Sequence, residues 1–190
     1  MKCALCYEKE CRGGKDCTGI TECISYERDD LGSMKASAAI EARYYMQKTR
    51  LEELILYSRE MGYERIGIAF CVGLEKEAEI IHRILDKYFD VYSVCCKVCG
   101  IEKGEYGLEK LNPCEFDPTC NPIGQAMMLD KKNTQLNIII GLCMGHDILF
   151  TQKSKAPVTT LIVKDRVLGH NPAAAIYSGY YLKNRFSLDE

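Results

Sequence analysis

The sequence predicts an α/β fold, an open and mostly parallel sheet of about four strands with flanking helices, preceded by a cysteine-rich segment. Short apolar runs and amphipathic stretches follow one another along the chain after residue 64. Such strand–helix–strand repetition implies parallel pairing through right-handed crossovers. The apolar runs lack a polar–apolar alternation, which is typical of strands buried on both faces. The cysteines concentrate at the N-terminus, where 5 of 12 lie within the first 23 residues.

The first long pattern is helical. Apolar residues between positions 34 and 61 recur near a period of 3.6 residues. Ser33 is the predicted N-cap, and Gly62 is predicted to follow the last helical turn. A single helix and a pair of helices divided near residues 47–50 both fit this pattern.

The remaining elements alternate in type. Strands are predicted at Arg65–Phe70, Asp90–Cys95, Leu136–Ile140 and 158–163, and helices at 74–88, 122–132, 146–152 and 172–182. The stretch 99–119, rich in glycine and charge, is predicted to be irregular. We therefore divide the chain into a cysteine-rich metal-binding or cluster-binding segment at 1–33 and an α/β domain at 34–190, with a second cysteine site at the strand ends.

Composition and charge exclude several classes of protein. The 25 basic and 27 acidic residues nearly balance, whereas a dedicated nucleic-acid binder is usually strongly basic. No apolar run approaches the roughly 20 residues that a membrane-spanning helix needs. The N-terminus turns polar without the apolar region of a secretory signal. The sequence thus predicts a cytoplasmic protein that binds neither nucleic acid nor membrane, and it leaves the oligomeric state open.

The 12 cysteines in 190 residues are far more than usual. Secreted disulfide scaffolds reach such densities, but they are small chains that cannot build a core. In a reducing cytosol, clustered thiols more often bind metal or carry out redox chemistry. Cysteine-ligated metal or an iron–sulfur cluster is therefore the leading expectation.

The N-terminal cysteines can supply four thiolates. Cys3, Cys6 and Cys11 come first, and either Cys17 or Cys23 completes the set. The segment has few apolar residues, so a metal would have to supply its order. Zinc would make a closed structural site, and a 4Fe–4S cluster would make an electron relay. Paired disulfides are the alternative without metal.

A second group of cysteines follows the predicted strands or precedes a helix. Its members are Cys71, Cys96, Cys120 and Cys143. Ligands of open α/β sheets bind at the carboxyl ends of the strands, so residues distant in sequence should meet there. Helix N-termini favour the thiolate, the form that ligates metal. Four soft thiolates suit an iron–sulfur cluster or zinc.

Polar residues surround this predicted core site. His146 and His170 are the candidate catalytic groups, as proton donors, and either is also a candidate further ligand. The predicted cofactor-binding or substrate-binding residues are Asn121, Gln125, Asp147, Lys164, Arg166 and Asn171. For any one of Cys71, Cys95 and Cys143, burial as a small hydrophobic side chain is the alternative. For Lys164 and Arg166, the alternative is a solvated charged turn. The roles of Cys95, Cys99 and Cys114 stay open.

Four stretches together resemble a known family. They are Ile68-Ala-Phe-Cys-Val-Gly-Leu74, Cys120-Asn-Pro-Ile-Gly-Gln-Ala126, Gly141-Leu-Cys-Met-Gly-His-Asp147 and residues 155–172. With the N-terminal cysteines they resemble domain of unknown function 1847, a family of uncharacterised metal-binding proteins from anaerobic bacteria and archaea. The resemblance implies Cys3, Cys6, Cys11 and Cys23 as one ligand set and Cys71, Cys96, Cys120 and Cys143 as the other. Cys17, Cys99 and Ile24, which stands where the family has proline, depart from the family pattern.

Three functions are compatible with these residues. The leading hypothesis is an iron–sulfur protein with a redox role, carrying one or two 4Fe–4S clusters, whose partners are an electron-donor protein and a small-molecule substrate. The second is a zinc-stabilised binding or regulatory module without catalysis. The third is a metal-free thiol oxidoreductase that uses the adjacent Cys95 and Cys96. Neither the substrate nor the reaction can be read from the sequence.

Overall fold

The computed structural model describes residues 1–188 and contains one four-stranded parallel sheet. Its strands are β1 Arg65–Phe70, β2 Asp90–Cys95, β3 Leu136–Ile140 and β4 Val158–Ile162, in the order β2-β1-β3-β4. All neighbouring strands pair in parallel. The predicted open parallel sheet is confirmed. The first three strands have their predicted bounds, and β4 ends one residue before the predicted end.

Seven α-helices accompany the sheet in the described residues. They are α1 Arg28–Tyr44, α2 Arg50–Glu60, α3 Glu75–Leu85, α4 Pro122–Asp130, α5 His146–Lys153, α6 Ala173–Ile176 and α7 Gly179–Phe186. The helix α3 connects β1 to β2, while α4 connects β2 back across β1 to β3. Because these two crossovers run in opposite directions, right-handed connections place α3 and α4 on opposite faces of the sheet. The chain therefore reverses direction between β1 and β3, the kind of switch point at which open α/β sheets bind ligands.

The core lies between the sheet and the helices α3 and α4, both of which pack against β1 and β2. Strand β3 is buried along its whole length, and Ile66 and Ile68 of β1 are fully enclosed. Leu85 from α3 and Leu129 from α4 are also fully buried. This burial on both faces explains why the central strands are continuous apolar runs.

The helical pattern over 34–61 forms two helices, and the predicted N-cap at Ser33 is wrong. Helix α1 begins earlier, because the side chains of Glu27 and Asp30 each accept the backbone N–H of the other in a capping box. Gly62, with φ of +69°, follows α2 as predicted. The N–H groups of Gly62 and Tyr63 donate to the carbonyls of Arg59 and Ser58, which closes α2 in a Schellman motif.

The start of α2 provides a test of local stability. The Thr49 hydroxyl accepts the Glu52 N–H, and the Glu52 carboxylate accepts the Thr49 N–H. We expect Thr49→Ala to lower the free energy of unfolding by about 1 kcal/mol, because one backbone donor loses its partner. Urea denaturation would measure the change. Thr49→Ser keeps the hydroxyl and should behave as the parent; a loss of equal size in Thr49→Ser would contradict this role for the hydroxyl.

The predicted helix over 172–182 is two short helices. Helix α6 ends at Ile176, and α7 begins only at Gly179. Ser178 lies between them with an extended backbone, φ −106° and ψ 112°, which interrupts the helical path. The prediction of helix in this region was therefore right in part, but it missed the break and ended four residues before the end of α7.

The stretch 99–119 is mostly irregular, as predicted, and charged side chains hold it together. A short 3₁₀ helix at Lys103–Tyr106 is its only helical element. Lys103 Nζ lies 2.7 Å from Asp117 Oδ2, and Lys110 Nζ lies 2.6 Å from Glu102 Oε1. Because these four side chains are largely shielded from solvent, the two ion pairs are screened less than most surface pairs.

Residues before α1 form three 3₁₀ turns and contain no α-helix or strand. The turns are Cys3–Leu5, Glu10–Gly13 and Thr21–Cys23, and none contains a buried residue. The segment is held by local hydrogen bonds, several of which converge on the Asp16 carboxylate. The division at residue 33 into a metal-binding segment and an α/β domain stays a prediction. None of the helices in the described part of the chain has both the length and the apolar character that a bilayer span requires.

Candidate metal centre

The predicted core cysteines lie at the carboxyl edge of the sheet. Cys71 directly follows β1, and its N–H donates to the carbonyl of Ile140 at the end of β3 (3.0 Å). Cys96 directly follows β2, and its N–H donates to the carbonyl of Phe70 (2.8 Å). Both side chains are buried. The sheet register thus places these two thiols side by side at the switch point.

Cys120 joins this pair from the opposite end of the irregular stretch. The N–H of Asn121 donates to the carbonyl of Cys96 (2.7 Å), which ties the start of α4 to the end of β2. As a result, the sulfur atoms of Cys120 and Cys96 lie 3.8 Å apart. Cys96 also hydrogen-bonds to the thiol of Cys71 and accepts the N–H of Val72 (3.4 Å). We call Cys71, Cys96 and Cys120 the thiol cluster.

Two predicted ligand-binding residues, Asn121 and Gln125, shape the backbone beneath the thiol cluster. The Asn121 side chain caps α4 by accepting the N–H of Gly124 (2.7 Å). Gln125 is fully buried, and its Nε2 donates to the carbonyls of Phe70 (3.2 Å) and Val94 (2.7 Å). It therefore clamps together the ends of β1 and β2 that carry Cys71 and Cys96. Their predicted contact with a cofactor stays a prediction.

Two cations from the segment after β4 contact predicted ligands. Lys164 Nζ donates to Cys71 Sγ (2.9 Å), and Arg166 Nη2 donates to Cys143 Sγ (3.1 Å). Gly73 makes room for the first of these contacts, since a Cβ there would lie 3.2 Å from Lys164 Nζ. Lys164 favours the thiolate form of Cys71.

The electrostatics of the thiol cluster distinguish its three members. The hydrogen bond with Cys96 and the nearby Lys164 lower the pKa of Cys71 to about 4. The hydrogen bond with Cys96 and the positive charges of Lys97 and His146 lower the pKa of Cys120 to about 6. The pKa of Cys96 is raised, because its hydrogen bonds with Cys120 and Cys71 favour its protonated form and because it is buried.

The candidate catalytic histidines differ in their surroundings. His146 is the first residue of α5, and its N–H donates to the carbonyl of Cys143 (2.9 Å). Its charge also helps to lower the pKa of Cys120. His170 lies in a loop with φ of +64°, where its Nδ1 accepts the N–H of Asp165 (3.1 Å). A neutral His170 must then carry its proton on Nε2. Proton transfer by either residue stays a prediction.

The remaining predicted residues lie in turns around the site. Asp147 Oδ1 accepts the N–H groups of Gly145 (2.9 Å) and Ile148 (2.8 Å) and so stabilises the start of α5. Asn171 is exposed, and its N–H donates to the carbonyl of Leu168 (3.1 Å). Their roles in binding stay predictions.

The residues that sequence reasoning missed are Val72, Gly73 and Lys97. Val72 donates its N–H to Cys96 Sγ, and Gly73 leaves room for Lys164. Lys97 adds positive charge beside Cys120. The only signal in the sequence was that each lies within two residues of a cysteine.

The cysteines outside both predicted ligand sets are scattered. Cys95 ends β2 half-buried, while Cys99 and Cys114 are exposed. The hypothesis of a redox pair at Cys95 and Cys96 receives no support from the electrostatics, because the raised pKa of Cys96 makes it a poor nucleophile.

The five N-terminal cysteines are all exposed and lie in or next to tight turns. The Cys6 N–H donates to the Cys3 carbonyl (3.2 Å), and the Cys11 carbonyl accepts the N–H of Gly14 (3.1 Å). Cys17 Sγ donates weakly to a backbone carbonyl (3.7 Å). With no buried residue in these turns, the segment lacks a core that would hold the thiols in place. This lack fits a segment that a metal would order.

Across residues 1–188, no three or more His, Cys, Asp or Glu side chains are arranged to hold a metal ion. The side chains of the thiol cluster instead hydrogen-bond to one another, and Lys164 and Arg166 hold the sulfurs of Cys71 and Cys143. The backbone nonetheless brings all four predicted core cysteines to one sheet edge. Soft sulfur donors are the ligands of iron–sulfur clusters, zinc and Cu(I), so the donor set fits such a group.

Comparison with known proteins identifies relatives of unknown function. Residues 14–161 match the family described as a protein of unknown function (DUF1847). The chain is also 58% identical over 187 residues to an uncharacterised protein of Methanocaldococcus jannaschii. These 187 residues are 96% of this chain and 97% of that protein. No solved structure matches. The family match includes the thiol cluster and Cys143 but not Cys3, Cys6 or Cys11.

Proposed function

The chain belongs to the DUF1847 family of proteins of unknown function, and we propose that it is an iron–sulfur protein with a redox role. The observation that carries the proposal is the thiol cluster. Three thiols from three separate parts of the chain meet at the switch point of the sheet. We propose that Cys71, Cys96, Cys120 and Cys143 ligate one metal centre there.

The charges around the thiol cluster support a thiolate-ligated centre. Four thiolates around Zn²⁺ or an oxidised 4Fe–4S core leave a net negative charge, which must be offset where it is shielded from water. Lys164 and Arg166 supply two positive charges and already contact two of the four sulfurs. Their donated hydrogen bonds are also the kind of contact that tunes the potential of a cluster.

A second centre is proposed at Cys3, Cys6, Cys11 and Cys23. Its support is the exposure of these thiols in a segment without a core. A cluster here would exchange electrons with a donor protein, because its ligands lie at the surface. Cys17 is the alternative to Cys23, and zinc is the alternative metal at either site.

A core cluster would supply electron transfer, and the residues around it would bind a small-molecule substrate. Lys164 and Arg166 favour an anionic group at this edge. His146, whose N–H donates to the carbonyl of Cys143, would hold a proton for the substrate. Gln125 would keep the two strand ends in place during turnover. The density of free thiols requires a reducing compartment, so we propose a cytoplasmic location.

The variant Cys143→Ala tests whether the fourth thiol is a ligand. We expect it to lose the metal of the core centre and to keep the metal of the N-terminal centre, because the two ligand sets share no residue. Cys11→Ala should show the reverse. Iron, zinc and acid-labile sulfide per chain would be measured on protein purified without oxygen.

The matched control is Cys114→Ala, which removes an exposed thiol outside both ligand sets. It should keep the full metal content. Metal content unchanged in Cys143→Ala would refute the core assignment. Equal loss of metal from both centres in Cys143→Ala would contradict their independence.

A further inference from the structure

A cavity of about 340 Å³ lies at the end of the sheet away from the thiols. Its strand residues include Leu136, which begins β3, and Val158, which begins β4. Because all four strands are parallel, this is the amino edge, whereas the thiols follow the carboxyl ends. The cavity is therefore separate from the candidate metal centre, and nothing in the proposed redox function uses it.

The floor of the cavity is apolar. Ile40 from α1, Leu54 from α2 and Leu136 line it, and all three are at most 6% exposed. The helices α1 and α2 each present one face to the cavity, through residues spaced three, four and seven positions apart. An apolar group of a ligand would thus be enclosed by two helices and the sheet.

The wall of the cavity carries opposite charges on one helix. Arg50 and Glu53 are three residues apart on α2 and both line the cavity. The guanidinium of Arg50 donates to Thr159 Oγ1 (3.0 Å), which anchors it on β4 and leaves other N–H donors free. A hydroxyl pair, Ser33 and Tyr57 at 2.8 Å, lies on the same wall.

The carboxylate of Glu53 is a group in the cavity that lacks a partner among residues 1–188. Glu53 is half-buried, and within residues 1–188 its carboxylate accepts no hydrogen bond and forms no ion pair. Two other glutamates of α2 do have cationic partners, since Glu52 pairs with Lys48 and Glu60 pairs with Arg43. Glu53 therefore lines the cavity as an acceptor without a protein donor among these residues, and a bound ammonium group would supply the donors that it lacks.

We propose that this cavity binds a free α-amino acid with an apolar side chain. Glu53 accepts hydrogen bonds from the ligand's ammonium group, Arg50 donates to its carboxylate, and the apolar side chain packs on the floor. Two opposite charges on adjacent turns of one helix match the two opposite charges on a single α-carbon.

Size and charge exclude the main alternatives. The volume is at the lower end of the range of about 300–1,000 Å³ for small-molecule sites, so the ligand is small. A nucleotide or other phosphate ester is disfavoured, because Glu41 and Glu53 both line the cavity and would repel it. A hydrocarbon would leave the charges of Arg50 and Glu53 without partners.

The test is isothermal titration calorimetry on the full-length protein purified without oxygen. L-leucine, L-methionine and L-phenylalanine would be titrated beside 3-methylbutylamine and 4-methylpentanoate, each of which lacks one of the two charges. We expect saturable binding of at least one amino acid. Both analogues should bind at least about tenfold more weakly than leucine, since each leaves one charged group unpaired.

Two variants attribute the binding to the cavity. Glu53→Gln and Arg50→Gln should each weaken amino-acid binding at least about tenfold. The control Glu77→Gln removes an exposed charge on α3, outside the cavity, and should bind as the parent does. The melting temperature of each variant would verify that it folds.

Several outcomes would overturn the proposal. Absence of saturable binding for all three amino acids at millimolar concentrations is one. Binding of 3-methylbutylamine as tight as that of leucine is another, because it would show that the carboxylate is not recognised. Unchanged affinity in Glu53→Gln would show that the ligand binds elsewhere. Loss of metal at the thiol cluster would leave this test unaffected, since the two sites share no residue.

Discussion

Replacement of Gly67 by alanine is expected to lower the free energy of unfolding by about 3 kcal/mol. Gly67 lies in the middle of β1, where a Cβ would overlap Asn137 Oδ1 and lie 3.0 Å from Leu129 Cδ1. Both neighbours are enclosed, so neither can move aside without disturbing the core. Overpacking of this kind is among the larger single-residue effects on stability.

The rigidity of Asn137 is the reason for this large effect. Its Nδ2 donates to Ser154 Oγ (2.8 Å), and its Oδ1 accepts the hydroxyl of Thr134 (2.8 Å). Rotation of the amide away from a new methyl group would break both hydrogen bonds inside the protein. The cost then includes unpaired buried polar groups as well as steric strain.

Urea and thermal denaturation would measure the effect of Gly67→Ala. A loss of about 3 kcal/mol corresponds to a decrease of roughly 6–12 °C in melting temperature for a chain of this size. The matched control is Gly13→Ala, because Gly13 is exposed and a Cβ there meets no atom within 4 Å. A Gly67→Ala protein as stable as Gly13→Ala would contradict the close packing of β1 against β3.

Replacement of Cys96 by serine is expected to remove the metal of the proposed core centre. Cys96 is the central thiol, in contact with both Cys71 and Cys120, and its side chain is 2% exposed. Serine keeps nearly the same size and still forms hydrogen bonds, but it lacks the soft sulfur that these metals require. The core metal content should therefore fall to near zero while the fold is retained.

The neighbouring variant Cys95→Ser is the control for Cys96→Ser. Cys95 is half-buried at the end of β2 and lies outside the thiol cluster. Metal analysis and the visible spectrum of both variants would be compared, with the melting temperature as a check on folding. Full metal content in Cys96→Ser, or equal loss in both variants, would contradict the assignment of Cys96 as a ligand.

The sheet was predictable because its strands are buried on both faces. An apolar run such as Leu136–Ile140 indicates both a strand and its first and last residues, and all five of its residues are buried. The start of α1 was less predictable. Its cap uses Glu27 and Asp30 in place of the usual serine or threonine, so Ser33 was the more typical candidate. The break between α6 and α7 lies at Ser178-Gly179, a dipeptide typical of turns, which the prediction of one continuous helix did not take into account.

The location of the candidate site was also predictable, but its contacts were not. Parallel topology alone brings the residues after β1 and β2 to one edge, which places Cys71 beside Cys96. The partner of Cys71, however, is Lys164, 93 residues away, and only the folded chain shows that the Lys164 side chain reaches it. The cavity beside Glu53 depends in the same way on how α1 and α2 pack over the sheet.

Metal content per chain is the most direct test of the proposed iron–sulfur function. Iron, zinc and acid-labile sulfide would be measured on full-length protein purified without oxygen, with a visible spectrum of the same sample. We expect a brown protein with roughly eight irons and matching sulfide, as two four-iron clusters on eight thiolates require. A colourless protein with about two zinc ions would contradict the redox function, but it would agree with the assignment of the cysteines as ligands. A protein that contains neither iron nor zinc would contradict the central claim that these thiolates bind a metal.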